Sequence, residues 1–510
     1  MIPQELLRDP AVREALRVVN ERLDEYVKVA REKGVGPDGI ARAKMLAVGE
    51  MLLALDVHER ARREPVEVAC PQCGETAKRK QRREREIASI VGPIRYSRSI
   101  YRCSCGNSFA PIDDEFGLVE GVRESRALRE LMAYLYADAP TDAVRENIEK
   151  TLGFAVATAT VHRVAQVEGQ RAHERLLAEA EVAESSQALD PVCPPGMAPS
   201  EAMRLPGATG LRQGSRALLQ MDGCMLQRRD LPEDAESNWS EVRVAVCSDL
   251  AARTMKPPSA NEIERAASEQ REPRGREVLT RKAYVASRSL DEFRRLLWAE
   301  SLRWRMSSAE EIVVVADGAR WIWNLVAEQF ASRPDDDAGD DDEDERHDRG
   351  IGPEGAGPRL VEILDWKHAE DHLRAVAQAV FGANTSRAAR ALERWRARLW
   401  HRGDTAYLAD LFERLATKVG RNAATISRRE ATYFTRNASR CNYPWLRARG
   451  YPISSGAVEG ACRNHLQRRL KQAGMRWSAP GLDTCLALRT YRHNHRWPDL
   501  YPEATHPQAA

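Results

Sequence analysis

Glu311-Ile-Val-Val-Val-Ala316-Asp317-Gly318 is the stretch on which the fold turns. Its apolar residues follow one another without alternation, so neither face of the strand they predict can meet water. Such a strand sits in the middle of an α/β sheet, covered above and below. Arg216-Ala-Leu-Leu-Gln-Met221-Asp222-Gly223 predicts a second buried strand over 217–221, with Asp222 at its exit. Arg359-Leu-Val-Glu-Ile-Leu364 predicts a third, running into Asp365-Trp-Lys-His368. Outward from these, 241–249 alternates as a half-exposed strand does, 278–286 suggests another, and a helix is expected over Leu290–Trp304.

An aspartate after one strand is usually a helix cap or a turn former. Here Asp222 and Asp317 share the Asp-Gly pattern, and Asp365 with His368 closes a third strand. Far downstream, Ser454-Ser-Gly-Ala-Val-Glu459-Gly opens a helix that continues into Arg463-Asn-His-Leu-Gln-Arg468-Arg469-Leu-Lys471. Carboxylates at strand ends can converge on divalent cations, and the basic residues beside them suit a phosphate backbone. The pattern predicts nuclease or strand-transfer chemistry on a ribonuclease H-like α/β core.

At 510 residues the chain can bury several cores, and three to five structural units are expected. Lys and Arg number 78 against 76 Asp and Glu, so the global charge of +2 says little about partners. Its distribution says more: an acidic run at 335–348 leaves other regions basic. That run cannot bury apolar surface and is expected to be a disordered loop within 332–358. The sequence has neither a membrane-length apolar stretch nor a signal-peptide pattern, which predicts a soluble intracellular protein.

Four of the 10 cysteines stand in two close pairs, Cys70-Pro-Gln-Cys73 and Cys103-Ser-Cys105. Four thiolates brought together can hold Zn²⁺ as a structural ion, although one residue between Cys103 and Cys105 is fewer than the common spacing. Arg79, Lys80, Arg82 and Arg83 lie between the pairs and are candidates for DNA contact. Residues 9–62 show helical periodicity, read as a packing or dimerisation surface. A helix, a turn at Gly153 and a second helix from Thr158 or Thr160 predict a helix-turn-helix with Thr160, His162 and Arg163 toward a groove, against ordinary packing as the alternative.

Taken with the cysteine pairs, Pro111-Ile-Asp113 and Met475-Arg-Trp477, the Asp222, Asp317, Asp365-x-x-His368 and Ser455-Gly-x-Val-Glu459 segments resemble bacterial DDE transposases of the ISKra type. These in turn resemble the Mutator-like branch. The resemblance implies that Asp222, Asp317 and Glu459 are the catalytic triad, holding two Mg²⁺ (or Mn²⁺) ions. Asp365 and His368 would then stand behind the metal ligands or touch phosphate. It also implies a helical insertion over 369–450. The expected architecture is multidomain α+β: a helical region at 1–65, a zinc-ribbon-like module at 66–117, helices at 118–185 and a linker at 186–212. The catalytic core occupies 213–368 and 451–510, on either side of the insertion. The expected activity is metal-dependent cleavage and strand transfer at insertion-sequence ends. The alternatives are an inactive DNA-binding regulator and a stand-alone nuclease. Partners would be double-stranded DNA, as transposon ends and target, and a second copy of the chain. Arg463, Arg468, Arg469 and Lys471 would bracket DNA beside the metals, in a cytoplasmic, nucleoid-associated bacterial protein.

Overall fold

A computed structural model describes residues 36–118, 122–185, 216–231, 237–250, 253–256, 276–279, 282–306, 309–330 and 358–502, with scattered positions before 36. The 186–212 linker, the acidic segment at 332–358 but for its last residue, and most of the helical pattern before 36 fall outside the described residues. The chain is mixed α+β and divides into two compact units, residues 1–169 with 501–510, and residues 170–500.

The first unit opens with helix α1 (Pro37–Arg63), started by a proline in its first turn. Strands β1 (Glu67–Ala69), β2 (Thr76–Ser89), β3 (Gly92–Arg102) and β4 (Ser108–Phe109) follow as one antiparallel meander. β2 and β3 form a long hairpin whose two-residue turn ends at Gly92, at φ +118°. Val57 and Ala61 of α1 pack with Ile87, Ile94 and Tyr96 of the hairpin. Short helix α2 (Pro111–Glu115) buries Asp113, which takes the Arg85 guanidinium at 2.6 Å and the Tyr96 hydroxyl at 2.9 Å. Helices α3 (Arg126–Tyr136) and α4 (Thr141–Leu152) and the first turns of α5 (Thr158–Ser185) complete it, with Gly153 in the left-handed region between α4 and α5.

The second unit is built on a five-stranded sheet. Its strands are β5 (Arg216–Gln227), β6 (Trp239–Asp249), β9 (Lys282–Ser287), β10 (Glu311–Ala316) and β11 (Arg359–Leu364), in the order β11-β10-β5-β6-β9. β5, β10 and β11 run parallel, while β6 and β9 are antiparallel to their neighbours. All six residues of β10 are buried: the apolar run 312–316, and Glu311, whose carboxylate accepts from the Tyr451 hydroxyl at 2.8 Å. Two expectations need correction. Asp222 does not end its strand: β5 stays paired with β6 through Asp222↔Val244 as far as Gln227↔Trp239. The stretch at 278–286 is not one strand either, because β8 (Arg276–Leu279) pairs with β7 (Arg253–Lys256) as a separate ribbon while β9 joins the main sheet.

Helices α6 (Leu290–Arg303) and α7 (Arg320–Phe330) connect the strands. After β11 the chain enters a helical segment: α8 (Trp366–Phe381), α9 (Ser386–Arg402), α10 (Thr405–Ala416), α11 (Arg421–Arg436) and α12 (Tyr443–Ala448). Trp395, Phe412 and Phe434 form the aromatic centre of its core, which is continuous with Val361, Ile363 and Leu364 of β11. Helix α13 (Gly456–Ala461) runs through a π-helical turn (Cys462–Gln467) into α14 (Arg468–Leu470), and α15 (Ala479–His493) and α16 (Trp497–Leu500) end the unit. No helix among the described residues is long and apolar enough to cross a membrane.

Arg496, 2% exposed, gives the second unit a buried ionic tie. Its guanidinium reaches both oxygens of Glu179 on α5, at 2.8 and 2.7 Å, and Arg303 pairs with the same carboxylate. Burial opposes the Glu179 charge, but Arg303 and Arg496 overcome it and hold the carboxyl at about 2. Removing one partner of such a pair strands the other, so Glu179→Gln is expected to cost about 3–5 kcal/mol in urea unfolding at neutral pH. The carboxyl is depressed in the folded state, so the wild type's advantage is complete above the unfolded value of roughly 4.3 and fades as pH falls toward 2. Equal stability of the two proteins at pH 7 would refute the tie.

Candidate active site

The parallel register places the acidic residues. Ala316 is paired with Met221 on one side and with Leu364 on the other. The next position along each strand is Asp222, Asp317 and Asp365, so three aspartates stand in a row across β5, β10 and β11. Neighbouring strands lie about 4.8 Å apart, which sets the spacing of their backbones. The Asp365 amide donates to the Ala316 carbonyl at 2.7 Å and continues the ladder one residue further.

Glu459 reaches this sheet by a different device. Gln220, two residues before Asp222 and 2% exposed, shares its face of β5. Its Oε1 accepts from the Ala457 and Val458 amides at 3.0 and 3.1 Å, and its Nε2 donates to the Ser454 carbonyl at 3.1 Å. Asp365 accepts from the Ser455 amide with one oxygen. Its other oxygen caps α8, accepting from Lys367 and His368 amides at 2.6 and 3.0 Å. Two buried side chains thus seat the start of α13 over the face that carries Asp222. Glu459 itself, one turn on, is exposed.

Asp222 is partly buried. Its Oδ1 accepts from the Gly223 amide at 2.7 Å, and Cys462 Sγ donates to Oδ2 at 3.6 Å from the π-helical turn. Burial raises its ionisation above the ordinary carboxylate range; the Gly223 amide opposes this, the Asp317 charge adds to it, and His368 and Cys462 counter it. Asp317 and His368 therefore both act on Asp222 by charge. Asp317 accepts from the Ala319 amide at 2.8 Å through Oδ1, and its carbonyl accepts from Trp323 Nε1 at 2.9 Å.

Among the described residues, the one group of three or more metal-capable side chains with ligand atoms all within 4.8 Å is Cys70, Cys73, Cys103 and Cys105. Asp222, Asp317 and Glu459 do not close that tightly. Carboxylates that share a pair of ions roughly 3.5–4 Å apart need not meet within one coordination sphere, and their hard oxygens suit Mg²⁺ or Mn²⁺.

The cysteine cluster could hold zinc. Cys70 Sγ lies 3.8 Å from Cys105 Sγ, and Cys73 Sγ lies 3.4 Å from Cys103 Sγ. Gly74 and Gly106, both left-handed, turn the two knuckles, and the Asn107 amide donates to Cys70 Sγ at 3.6 Å. Burial opposes the Cys70 thiolate, but the Asn107 amide and the backbone amides of Cys73 and Gln72 bring the thiol down to about 6. Four sulfurs this close, one already favouring the thiolate, fit a tetrahedral soft-ligand ion.

The remaining basic candidates divide. Lys80, Arg82 and Arg83 are exposed on β2, with Arg82 donating to the Ala61 carbonyl and half-buried Arg79 to the Glu64 carbonyl. His162 is exposed near the start of α5, Thr160 is half-buried, and Arg163 is paired with Glu124 at 2.7 Å. Arg463 and Arg468 are exposed, and the Lys471 amine stands 5.0 Å from the Trp239 ring. Arg469 corrects the expectation of a DNA-facing group: it is 2% exposed, with its guanidinium 5.1 Å from the Trp477 ring.

Gln220 belongs to no catalytic motif; its signal in the sequence is a lone amide in an apolar strand, since a buried amide must find partners. Gln220→Leu would strand two amides and a carbonyl at about 1–3 kcal/mol for each group left unpaired. Hydrogen exchange is expected to quicken at 454–459 while β5 and β10 stay protected. Unchanged protection there would show that Gln220 does not hold α13.

No family model matches the chain, and no curated protein matches it. Among solved structures it is similar to the Drosophila P element transposase strand transfer complex, at 10% identity and a TM-score of 0.21, over 73% of this chain and 79% of that one. At that score the likeness is slight and says nothing of this chain's chemistry.

Proposed function

We propose that this chain is a DDE-type DNA transposase of the ISKra kind, cleaving phosphodiesters and joining the freed 3′ ends to target DNA. The observation that carries the reading is the register-matched row of Asp222, Asp317 and Asp365, with the Glu459 helix anchored over the same face of β5. The strand order β11-β10-β5-β6-β9 supports a ribonuclease H-like core: β5, β6 and β9 form an antiparallel meander, and β10 and β11 run parallel to β5. The helical segment before Glu459 supports an insertion rich in cations: 366–450 carries 17 Lys and Arg against 7 Asp and Glu. Such an excess suits a polyanionic partner. The meander with its four clustered cysteines fits a zinc ribbon.

In this reading Asp222, Asp317 and Glu459 would hold two Mg²⁺ ions, which when bound would supply Lewis-acid stabilisation for phosphodiester chemistry. The side chains divide the remaining work. Asp365 is 0% exposed with both oxygens committed to backbone amides, so it positions the Glu459 segment and does not meet phosphate. His368, on the first turn of α8, acts on Asp222 by charge and favours its ionised form. Arg463, Arg468 and Lys471 are exposed on the helix beyond Glu459, where cations would take DNA phosphates. Two transposon ends call for at least two copies of the chain.

The test is incubation of the full chain with DNA bearing the terminal repeats that flank its gene, Mg²⁺ and a target plasmid, followed by mapping of cut and joined ends. Joined 3′ ends are expected. Cutting without joining would leave a nuclease, and binding without cutting would leave a regulator.

A further inference from the structure

Tyr433 belongs to α11 of the helical segment, yet its ring lies against the backbone beside Asp317. A Cβ built on Gly318 would stand 2.1 Å from Tyr433 Cε2, 2.7 Å from Cζ and 2.8 Å from the hydroxyl oxygen. The Asp317-Gly318 pair therefore has a packing reason: a residue with a side chain at 318 would expel the phenol. The ring is held from its other side by His372 of α8, stacked at 3.6 Å between centroids and 21° between planes. His372 Nδ1 is bonded to Glu430, which is 0% exposed and also takes Arg429 Nε at 2.7 Å. Glu430, His372 and Tyr433 thus form a braced column ending on Gly318.

At the end of that column the Tyr433 hydroxyl is buried with no hydrogen-bond partner among the described residues. Buried polar atoms without partners are uncommon, and each calls for an explanation. A phenol is protonated at neutral pH, so this hydroxyl has a proton to donate. Across from it, Asp317 uses Oδ1 for the Ala319 amide and leaves its other oxygen without a donor among the described residues.

We infer that Tyr433 is a positioning residue for Asp317: as the carboxylate turns to ligate a divalent cation, the phenolic O–H donates to it and fixes its orientation. The inference rests on the metal-site reading above, and makes the helical segment a structural part of that site. Carboxylates that ligate metals are themselves hydrogen-bonded, and losing such a partner costs about 10–100-fold in metal affinity or activity.

Tyr433→Phe removes one oxygen and keeps the ring. Mn²⁺ titration of the zinc-loaded full chain, followed by electron paramagnetic resonance with Asp222→Asn as the blank, should show binding weaker by about 10-fold or more. The thermal midpoint should stay level or rise, because the atom removed is unpaired in the metal-free fold; a merely structural tyrosine would show the reverse split. Wild-type protein should also show a tyrosine ultraviolet difference band on adding Mn²⁺ that Tyr433→Phe lacks. Equal Mn²⁺ affinity in the two proteins overturns the role of Tyr433 and leaves the metal site standing. Absence of any Asp222-dependent Mn²⁺ binding in the wild type overturns both.

Discussion

Asp222→Asn should abolish Mg²⁺-dependent DNA cleavage while leaving duplex affinity within a few-fold of wild type. The loss should exceed the roughly 10²–10³-fold cost of deleting a single donor to a developing charge, because an anionic oxygen that would ligate metal goes with it. Asp317→Asn and Glu459→Gln should behave alike in the same gel assay, since each removes one anionic oxygen donor and little volume. The aspartate also leaves a mark without metal. Its folded-state ionisation is raised by burial, so its charge opposes folding. For a carboxylate shifted upward, that penalty is absent at low pH, where both states are protonated. It grows as pH rises past the unfolded value of roughly 3.9. Asp222→Asn should therefore raise the thermal midpoint of metal-free protein at pH 7, and lose that advantage at pH 3. Cleavage by Asp222→Asn at the wild-type rate would remove it from the reaction. A lowered midpoint at pH 7 would instead show that the aspartate serves packing.

The second large effect is expected at the cysteines. Cys70→Ser, or a strong chelator applied to the wild type, should release about one zinc per chain and unfold β1, β4 and the knuckle end of the β2–β3 hairpin, while the end packed on α1 stays protected. Cys70, Ala77, Tyr101 and Cys103 make a small buried cluster, too little apolar surface to hold β1, β4 and the knuckle end of the long β2–β3 hairpin, whose other end packs on α1. Structural zinc in comparable small modules supplies roughly 10–16 kcal/mol at neutral pH, most of the folding free energy available. Hydrogen exchange over 67–109 reads the result directly. Zinc-free wild-type protein with full protection there would mean that the four thiols are a packed cluster and no ion is needed.

What could be read from residues was what neighbours in sequence decide. Five residues from 312 to 316 announced a central strand because burial on both faces selects an unbroken run of apolar side chains. Asp317 and Asp365 followed at strand ends, and the strands of β5, β6, β10 and β11 were largely foreseen. Cys105 was the weak ligand on spacing, with one residue after Cys103, yet its sulfur closes on Cys70 from the opposite knuckle. Local spacing judges a pair, whereas the meander brings the two pairs together. The length of β5 escaped because Gln227 is strand only by virtue of its partner Trp239. Arg469 escaped because its charge outweighed its phase: it follows Val458, Cys462 and His465 at helical spacing, all of them buried, and its side chain meets Trp477.

By itself the sequence determined the chemistry available to this protein: which side chains are hard anions, which are thiols, and which apolar runs must be buried. Tertiary structure alone decided which of them meet. Strand register set Asp317 between Asp222 and Asp365, Gln220 drew α13 onto the same face across more than 230 residues of chain, and Tyr433 found Gly318 from a separate helix. Periodicity reports only whether a side chain faces a core. Partners distant in sequence are chosen by packing and by the pairing of buried polar groups, which no local window contains.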